Sequence, residues 1–312
     1  MREGEFKGLK ALILENEALK AVILPDFGGK VASFYDKKAD YEWFFQSSLD
    51  QLPMPHYGSA FGEYTPSGYD DMFPGIDEGP HPMNNRKVPD HGEVWSMVWD
   101  IEEKLDNGVT LQVASPVFPY ILRKTITLLD DGLEFRYRAI NTGEEPFAYI
   151  WAPHALLNMN EHTRIELPPE CDEIISVEQH TDHLGPWGTY HPYPITTSEK
   201  TKEQLDLSRM EPPEAETVEK FYFAKKLESG WCRTVQEDLK RELYYSFDPD
   251  KIPYLAIWKT QGGYQGDYNF ALEPCTGMYD DVYVANKIDR VAKIPSESEH
   301  IWVFTMTVKD YE

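Results

Sequence analysis

Hydrophobic and polar residues alternate with a period of two along much of the chain, which is typical of β-strands with one buried face. The first alternating stretch covers residues 12–23 and is interrupted at residues 15–17 by Glu-Asn-Glu. We interpret it as a β-hairpin, because a short polar connection between two alternating segments is typical of one. Residues 25–29 (PDFGG) are expected to form a turn, and residues 30–35 a third strand.

The middle of the chain contains three more alternating segments, separated by turn sequences. The turns at residues 106–108, 130–132 and 141–143 each combine Asn or Asp with a final Gly. These residues tolerate the positive φ angles that tight hairpins need. We therefore predict consecutive antiparallel strands at residues 109–114, 120–128 and 133–140.

The same period returns in the C-terminal part, where we predict strands at residues 239–247, 254–258, 268–272 and 300–308. Helical periodicity is scarce, and residues 198–207 are the best candidate for a short helix. The pattern therefore predicts an all-β protein with few short helices.

Two long segments, residues 46–89 and 179–216, interrupt the predicted strands. The first is rich in Pro, Gly and aromatic residues, and the second contains more Glu and Thr. Segments of this length without regular structure are usually functional or disordered. The chain shows no internal repeat and no dividing linker, so we expect one domain over residues 1–312.

Composition and charge exclude several classes of protein. The 8 Trp, 19 Tyr and 15 Phe, with 41% hydrophobic residues, are enough for a large core and exclude intrinsic disorder. The 54 acidic and 30 basic residues give a net charge of −24. Such a surface repels phosphate backbones and anionic lipids, so we expect neither nucleic acid nor membrane as a partner.

The chain shows no membrane-spanning or disulfide-bonded pattern. Its apolar runs are far shorter than the roughly 20 residues that a transmembrane helix needs, and the first residues, MREGE, do not resemble a signal peptide. Cys171, Cys232 and Cys275 are widely spaced, odd in number and outside any CxxC motif. We expect reduced thiols, a cytoplasmic location, and a monomer or homodimer.

Glu273 is the first candidate for a catalytic role. It follows the apolar strand residues 269–272 (NFAL) and precedes Pro274. Partial desolvation at such a position raises the pKa of a carboxyl group toward the pH at which it acts as a general base. A strand-end glutamate that merely accepts backbone N–H bonds is the other interpretation.

Two histidines are candidate proton donors or sugar ligands. His154 follows Trp-Ala-Pro and precedes a short apolar run, and His91 lies between Asp90 and Gly92. Imidazole titrates near neutral pH and can therefore donate or accept a proton. The ordinary alternatives are a core histidine bonded to a backbone carbonyl for His154 and a turn histidine paired with Asp90 for His91.

Other chemistry finds little support in the sequence. His180, His183 and His191 have irregular spacing with no cysteine nearby, so we expect no metal site. Cys275 lacks a histidine-partner motif and is not expected to be a nucleophile. The chain has no P-loop, no GxGxxG motif after a strand and no GxSxG motif, so we expect no cofactor and no hydrolase triad.

Four segments carry a resemblance when they are taken together and in this order. They are residues 25–36 (PDFGGKVASFYD), His91-Gly92 ahead of Trp95 and Trp99, residues 154–159 (HALLNM), and residues 272–276 (LEPCT). Over roughly residues 10–310, the chain thereby resembles the aldose 1-epimerase (galactose mutarotase-like) superfamily. Each motif is weak alone, but the four together in order are specific at the superfamily level.

The resemblance implies a β-supersandwich of large antiparallel sheets that bind a monosaccharide or sugar derivative on a concave face. It also implies ring opening by proton transfer, with Glu273 as the base that deprotonates the anomeric hydroxyl and His154 as the acid that protonates the ring oxygen. Rotation about the C1–C2 bond and reclosure then give the other anomer. The candidate substrate-binding residues are His91, Asp71, Arg86, Trp95 and Trp258.

Departures from the family pattern bear on the substrate. Leu156-Leu157 stands where the family has an aromatic pair behind the histidine, and no arginine follows His91-Gly92 as it does in sugar-phosphate epimerases. With the acidic composition, this favours a neutral aldose. Arg86 keeps a sugar phosphate open as an alternative.

Two further classes remain open. The same fold could hold a sugar without turning it over, as a carbohydrate-binding module. Lyases and hydrolases also use sandwiches of this shape, although the lack of a second paired carboxylate argues against a glycosidase.

Overall fold

The structure, a computed structural model, describes residues 1–64, 66–178 and 183–312. Regular structure in these ranges consists almost entirely of β-strands, so the predicted all-β fold class is confirmed. The strands of the first half are β1 (Arg2–Phe6), β2 (Leu9–Glu15), β3 (Leu19–Leu24), β4 (Lys30–Asp36), β5 (Tyr41–Glu42), β6 (Tyr69–Met72), β7 (Gly79–Pro80), β8 (Lys87–Val88), β9 (Asp100–Lys104), β10 (Gly108–Ala114), β11 (Tyr120–Leu128), β12 (Gly132–Asn141), β13 (Phe147–Tyr149) and β14 (Ala152–Ala155).

The second half continues in the same way and adds a single α-helix among the described residues. Its strands are β15 (Leu157–Asn158), β16 (Thr163–Glu166), β17 (Glu173–Ser176), β18 (Tyr190–Pro192), β19 (Ile195–Thr197), β20 (Gln204–Asp206), β21 (Thr217–Phe223), β22 (Trp231–Gln236), β23 (Arg241–Phe247), β24 (Tyr254–Gln261), β25 (Tyr268–Cys275), β26 (Ala292–Ile294) and β27 (Glu299–Asp310). The helices are α1 (Val282–Lys287) and short 3₁₀ turns at Phe61–Tyr64, Val94–Ser96 and Pro213–Ala215.

An eight-stranded antiparallel sheet contains five of the strands that the alternation predicts. Its order is β16-β22-β23-β27-β12-β11-β10-β9. Along β11, every second residue from Tyr120 to Leu128 is buried, so one face of the strand packs into the core. The three predicted consecutive strands in the middle of the chain are confirmed as β10, β11 and β12.

A seven-stranded sheet contains the N-terminal hairpin and the strand that carries His154. Its order is β1-β2-β3-β4-β6-β14, with β5 paired to β4. The predicted hairpin is confirmed, with Leu12 of β2 opposite Ile23 of β3. At the far edge, β14 pairs with β6, and His154 is opposite Asp70.

A six-stranded sheet of order β15-β25-β24-β21-β17-β18 carries Glu273. Glu273 of β25 is opposite Ala256 of β24, which in turn is opposite Tyr222 of β21. Residues paired across strands, and residues two apart along a strand, point to the same face. Glu273 therefore shares one face with Trp258 and Lys220, which are opposite each other in the β21–β24 pair.

The predicted helix at residues 198–207 is wrong. Residues 195–206 form a small hairpin, in which Ile195 of β19 is opposite Asp206 of β20. The Ser198 N–H donates to the Glu203 carbonyl at 2.8 Å, and Lys202 has a φ of +65°, so residues 198–203 close a hairpin turn and cannot continue as a helix.

Three other expectations need correction. Leu239 lies in a turn, and the strand there begins at Arg241. The segment 46–89 is not a continuous loop, because β6 crosses it with all four residues buried. Within the segment 179–216, residues 179–182 lie outside the described residues, and the rest contains β18, β19 and β20.

One cluster of buried apolar side chains joins the three large sheets. It includes Val31 of the seven-stranded sheet, Phe135 of the eight-stranded sheet and Leu272 of the six-stranded sheet. Burial of this kind is the main favourable contribution to folding. Over the described ranges, no helix has the length and apolar character that crossing a membrane requires.

Candidate functional site

A cavity of about 450 Å³ lies where the seven-stranded and six-stranded sheets meet. Residues from β6 and β14 of the first sheet and from β21, β24 and β25 of the second line its wall. Its volume falls in the range of about 300–1,000 Å³ that small-molecule sites occupy. The predicted site residues on its wall are His91, His154, Trp258 and Glu273.

Glu273 is fully buried at the C-terminal end of β25. Its Oε2 accepts a hydrogen bond from the Lys220 ammonium group, whereas its Oε1 has no hydrogen-bond partner among the described residues. Burial raises the pKa of Glu273; the positive charge of Lys220 opposes this rise, and the negative charge of Asp280 adds to it. A carboxylate with a raised pKa and one free oxygen on a cavity wall is suited to accept a proton.

His154 is 6% exposed and presents its ring to the same cavity from β14. The ring meets Phe61 and His91 edge-on, each at a centroid distance of 5.1 Å. Its Nδ1 has no hydrogen-bond partner among the described residues. Burial lowers the pKa of His154 well below its ordinary value, and the positive charges of His91 and Lys220 lower it further. The neutral imidazole is therefore the prevailing form at neutral pH.

His91 stands in a different environment, on a turn at the edge of the cavity. Its Nδ1 lies 2.8 Å from Asp90 Oδ1, and its ring stacks on Phe61 at a centroid distance of 4.0 Å. The turn needs Gly92, which has a φ of +76°, because a Cβ there would lie 2.3 Å from the Phe73 carbonyl oxygen. Asp90 orients the His91 ring, and the His154 Nδ1 has no such partner among the described residues.

Trp258 provides an aromatic surface on the cavity wall. It is half-buried in β24, and its ring meets Tyr264 edge-on at a centroid distance of 5.6 Å. An exposed indole face can pack against the apolar C–H groups of a sugar ring.

The cavity wall is strongly acidic, which the sequence did not reveal. Lys220 is the one lysine or arginine on that wall within the described residues. Asp77 and Asp280 lie close enough that burial and the charge of Asp280 raise the pKa of Asp77 to about 6. Besides Glu273, the carboxyl groups on the wall are Asp77, Asp90, Glu178, Asp267 and Asp280.

Asp71 does not line the cavity, so the expectation that it orients a sugar is corrected. It is fully buried in the core, where its Oδ2 lies 2.6 Å from Lys124 Nζ. Its Oδ1 accepts hydrogen bonds from the Tyr137 hydroxyl at 2.7 Å and the Trp151 indole at 3.0 Å. These partners occupy both oxygens, and the role of Asp71 is structural.

Arg86 and Trp95 also lie off the cavity wall. Arg86 is exposed, and its guanidinium donates to the Val117 carbonyl at 2.8 Å. Trp95 is buried, with its Nε1 donating to the Asp90 carbonyl oxygen at 2.9 Å and its ring against Phe61. Trp95 therefore supports the turn that presents His91, instead of contacting a ligand itself.

Two of the three histidines considered as metal ligands, His183 and His191, have hydrogen-bond partners within the protein. His183 Nε2 lies 2.9 Å from Glu219 Oε1, and His191 Nε2 lies 2.7 Å from the Leu184 carbonyl. His180 lies outside the described residues. Within the described ranges, no group of three His, Cys, Asp or Glu residues is arranged to hold a metal ion.

Sequence reasoning missed Lys220, although a pattern pointed to it. Lys220 stands in the apolar β21 sequence TVEKFYF, beside Glu219. Charged residues in the middle of a buried strand are rare unless they are paired. An adjacent Glu-Lys pair in such a strand therefore signals two buried ion pairs, one on each face of the sheet.

Comparison with known families supports the resemblance in the sequence. The family model described as aldose 1-epimerase matches residues 10–219. This match includes His91 and His154 and ends before Trp258 and Glu273. No curated protein matches the chain.

Solved structures share the fold over nearly the whole chain. The Slr1438 protein from Synechocystis sp. PCC 6803 has a TM-score of 0.69 at 15% identity, covering 99% of this chain and 100% of its own. A galactose mutarotase related enzyme from Lactobacillus acidophilus has a TM-score of 0.67 at 14% identity, covering 96% of this chain and 97% of its own. A galactose mutarotase-like protein from Clostridium acetobutylicum has a TM-score of 0.67 at 14% identity, with coverage of 99% and 98%. At these identities the likeness concerns the fold.

Proposed function

The chain belongs to the aldose 1-epimerase family, and from that premise we propose that it interconverts the α and β anomers of a neutral aldose. Membership of the family indicates an isomerase-type enzyme. The observation that carries the proposal is that Glu273 and His154, from two different sheets, line one cavity. Anomer exchange needs a base at the anomeric hydroxyl and an acid at the ring oxygen, and these side chains supply the two types of group.

Glu273 acts as the base in this proposal. Its unpartnered Oε1 accepts the proton of the anomeric hydroxyl, while its Oε2 stays bonded to Lys220. As the C1–O5 bond breaks, the acid protonates the ring oxygen, and the open aldehyde forms. Rotation about C1–C2 and the reverse proton transfers close the ring to the other anomer, so Glu273 and the acid exchange roles.

His154 is the proposed acid that protonates the ring oxygen. His91 lies beside it on the cavity wall. Burial lowers the pKa of His154, so the protonated imidazole that donates to the ring oxygen is the less populated form at neutral pH. His91 is a second candidate donor on the same wall, because its Nδ1 is held by Asp90 and its ring meets that of His154 edge-on.

The charge of the cavity supports a neutral substrate over a phosphorylated one. The one lysine on the described part of the wall, Lys220, is already paired with Glu273, and carboxylates surround it. Arg86, the residue that kept a sugar phosphate open, donates to a backbone carbonyl away from the cavity. The proposed chemistry consists of proton transfers within a reaction that also proceeds in water, so it requires no metal or cofactor.

The second candidate function is a sugar-binding module without turnover. One observation favours it, namely that burial disfavours the proton on His154 that the acid role requires. A cavity with an aromatic wall and free acceptors would then hold a sugar unchanged.

Polarimetry on freshly dissolved α-glucose, α-galactose and other aldoses separates the two functions. The proposal expects faster mutarotation with the wild type, and loss of this acceleration in Glu273→Gln and in His154→Ala. A wild type that binds an aldose in calorimetry without accelerating its mutarotation would favour the binding module. Neither binding nor acceleration with any aldose would reject both.

A further inference from the structure

We propose that Lys220 is a positioning residue for the base: it holds one oxygen of Glu273, keeps the carboxylate ionised and leaves the other oxygen free toward the cavity. The inference rests on the proposed function, in which Glu273 accepts the proton of the anomeric hydroxyl. Lys220 itself is not assigned a contact with the sugar.

The strand register brings the two side chains together. Lys220 lies on β21 and Glu273 on β25, and β24 separates the two strands. Both residues point to the same face, and long side chains reach each other across the small Ala256. The Lys220 side chain is 9% exposed, and its ammonium group also lies 3.8 Å from Asp280 Oδ1.

Lys220 compensates the unfavourable burial of the Glu273 carboxylate. A carboxylate without solvent favours its protonated form, which cannot act as a base. The Lys220 ammonium group compensates the charge and occupies Oε2 alone, so Oε1 remains without a partner among the described residues. Burial lowers the pKa of Lys220, but Asp280 and Glu273 outweigh burial and raise it above its ordinary value. The lysine therefore stays charged and does not act as a nucleophile.

Several other titratable groups lie near Glu273 and affect its pKa. Asp280, from the segment after β25, adds a negative charge on the side of Lys220, and its Oδ1 accepts the Tyr222 hydroxyl at 2.5 Å. Within β25, Cys275 has its pKa raised well above the ordinary thiol value, mainly by burial, so it stays uncharged. Across the cavity, His91 contributes a positive charge when it is protonated.

The same sheet provides a matched control on its opposite face. Lys259 of β24 and Glu219 of β21 form a second buried ion pair at 2.7 Å, with both side chains at most 2% exposed. Neither residue lines the cavity. Replacing Lys259 thus removes an equally buried lysine from a neighbouring strand without touching Glu273.

The first measurement follows the ionisation of Glu273 directly and does not depend on activity. The side-chain carboxyl carbons of glutamate are labelled with ¹³C, and the Glu273 signal is identified by its absence in Glu273→Gln. We expect the titration of this signal to move to higher pH in Lys220→Met, to stay near the wild-type position in Lys220→Arg, and to be unchanged in Lys259→Met. An unchanged titration in Lys220→Met, or an equal shift in Lys259→Met, would overturn the proposal.

The second measurement is the pH dependence of anomer exchange. Because Lys220→Met leaves less of Glu273 ionised at low pH, we expect its kcat to be about tenfold or more below that of the wild type at acidic pH, and the ratio of the two to approach one as the pH rises. A loss that is equal at every pH would indicate a merely structural role and contradict the proposal. If the wild type turns over no aldose, the proposed function fails, and the carboxyl titration still decides the effect of Lys220 on Glu273.

A third variant covers the case in which Lys220→Met does not fold. Asp280→Asn removes the carboxylate that competes for Lys220 and repels the charge of Glu273. We expect the Glu273 signal of this variant to titrate at lower pH than in the wild type. An unchanged or higher titration would mean that the charges around Lys220 do not govern the ionisation of Glu273.

Discussion

Glu273 of β25 and His154 of β14 belong to two different sheets, and both side chains line the same cavity. The reason is a crossing of the chain directly after His154. Strand β14 belongs to the seven-stranded sheet and ends at Ala155, and β15 begins at Leu157 in the six-stranded sheet. Because Leu157 is opposite Phe270 of β25, this crossing ties the strand of the histidine to the strand of the glutamate.

The first prediction concerns the pH dependence of the reaction. Burial lowers the pKa of His154 and raises that of Glu273, so catalysis needs Glu273 above its pKa and His154 below its own. We expect kcat/KM to be bell-shaped, falling on the acidic side as Glu273 is protonated and on the basic side as the acid loses its proton; because burial lowers the pKa of His154, the basic loss should begin below the pH at which a free imidazole titrates. Initial rates by polarimetry over a series of pH values provide the measurement.

A variant of Asp90, the partner of His91, tests which of the two histidines donates the proton. In Asp90→Asn, His91 loses its carboxylate partner, and the pH profile should change little if His154 is the acid. A marked loss of activity in Asp90→Asn, together with full activity in His154→Ala, would instead assign proton donation to His91.

The second prediction concerns the charge of the substrate. Because carboxylates dominate the cavity wall and Lys220 is paired, a phosphorylated hexose should show a kcat/KM at least about tenfold below that of its neutral parent. Repulsion weakens with ionic strength, so added salt should narrow the difference. Equal or better turnover of the sugar phosphate, with salt decreasing it, would contradict the charge argument.

The third prediction separates a structural carboxylate from a substrate ligand. Asp71→Asn leaves Lys124 charged and unpaired in the core, where both partners are 0% exposed. Breaking a buried pair in this way typically costs about 3–5 kcal/mol of the free energy of unfolding. Urea denaturation should show this loss, whereas Asp131→Asn on the surface should change stability by less than about 0.5 kcal/mol. An Asp71→Asn variant of wild-type stability with a raised KM would restore the expected role in sugar binding.

The fourth prediction concerns metals. Because the proposed proton transfers involve only protein side chains, dialysis against EDTA should leave the rate of anomer exchange unchanged. Loss of activity that zinc or another divalent ion restores would instead indicate a metal in the segment that contains His180, His183 and His191.

The sequence predicts the fold well where a local pattern determines the structure. Alternation predicts β10, β11 and β12, because burial of one strand face is a local requirement. The positive φ angles expected at their turns are wrong: Gly108 and Gly132 are needed because a Cβ would lie 2.5 Å from the Ile126 carbonyl oxygen and 2.2 Å from the Met306 carbonyl oxygen.

The prediction of a helix at residues 198–207 is wrong because composition alone does not determine the local structure there. The polar residues suit a helix, but Lys202 adopts a positive φ and the Ser198 N–H bonds to the Glu203 carbonyl, so the segment turns back as a hairpin.

In the candidate site, too, the sequence reveals what a local motif determines and misses what depends on contacts between residues far apart in the chain. Glu273 and His154 stand out by their motifs, and the fold brings both to one cavity. Asp71 has an equally suggestive context, yet its partners Lys124, Tyr137 and Trp151 lie more than fifty residues away in the sequence and bind it inside the core. The pairing of Lys220 with Glu273 depends on the order of strands in the sheet, which no local pattern in the chain reports.

The central claim is tested most directly by exchange NMR on an aldose labelled with ¹³C at C1, at anomeric equilibrium. Magnetisation transfer between the α and β signals then reports the rate of interconversion without any change in composition. The account predicts exchange that grows with wild-type concentration and drops by about 10²–10⁴ in Glu273→Gln, with the fold retained by circular dichroism. Undiminished exchange in folded Glu273→Gln, or none with the wild type for any aldose that it binds, would contradict it.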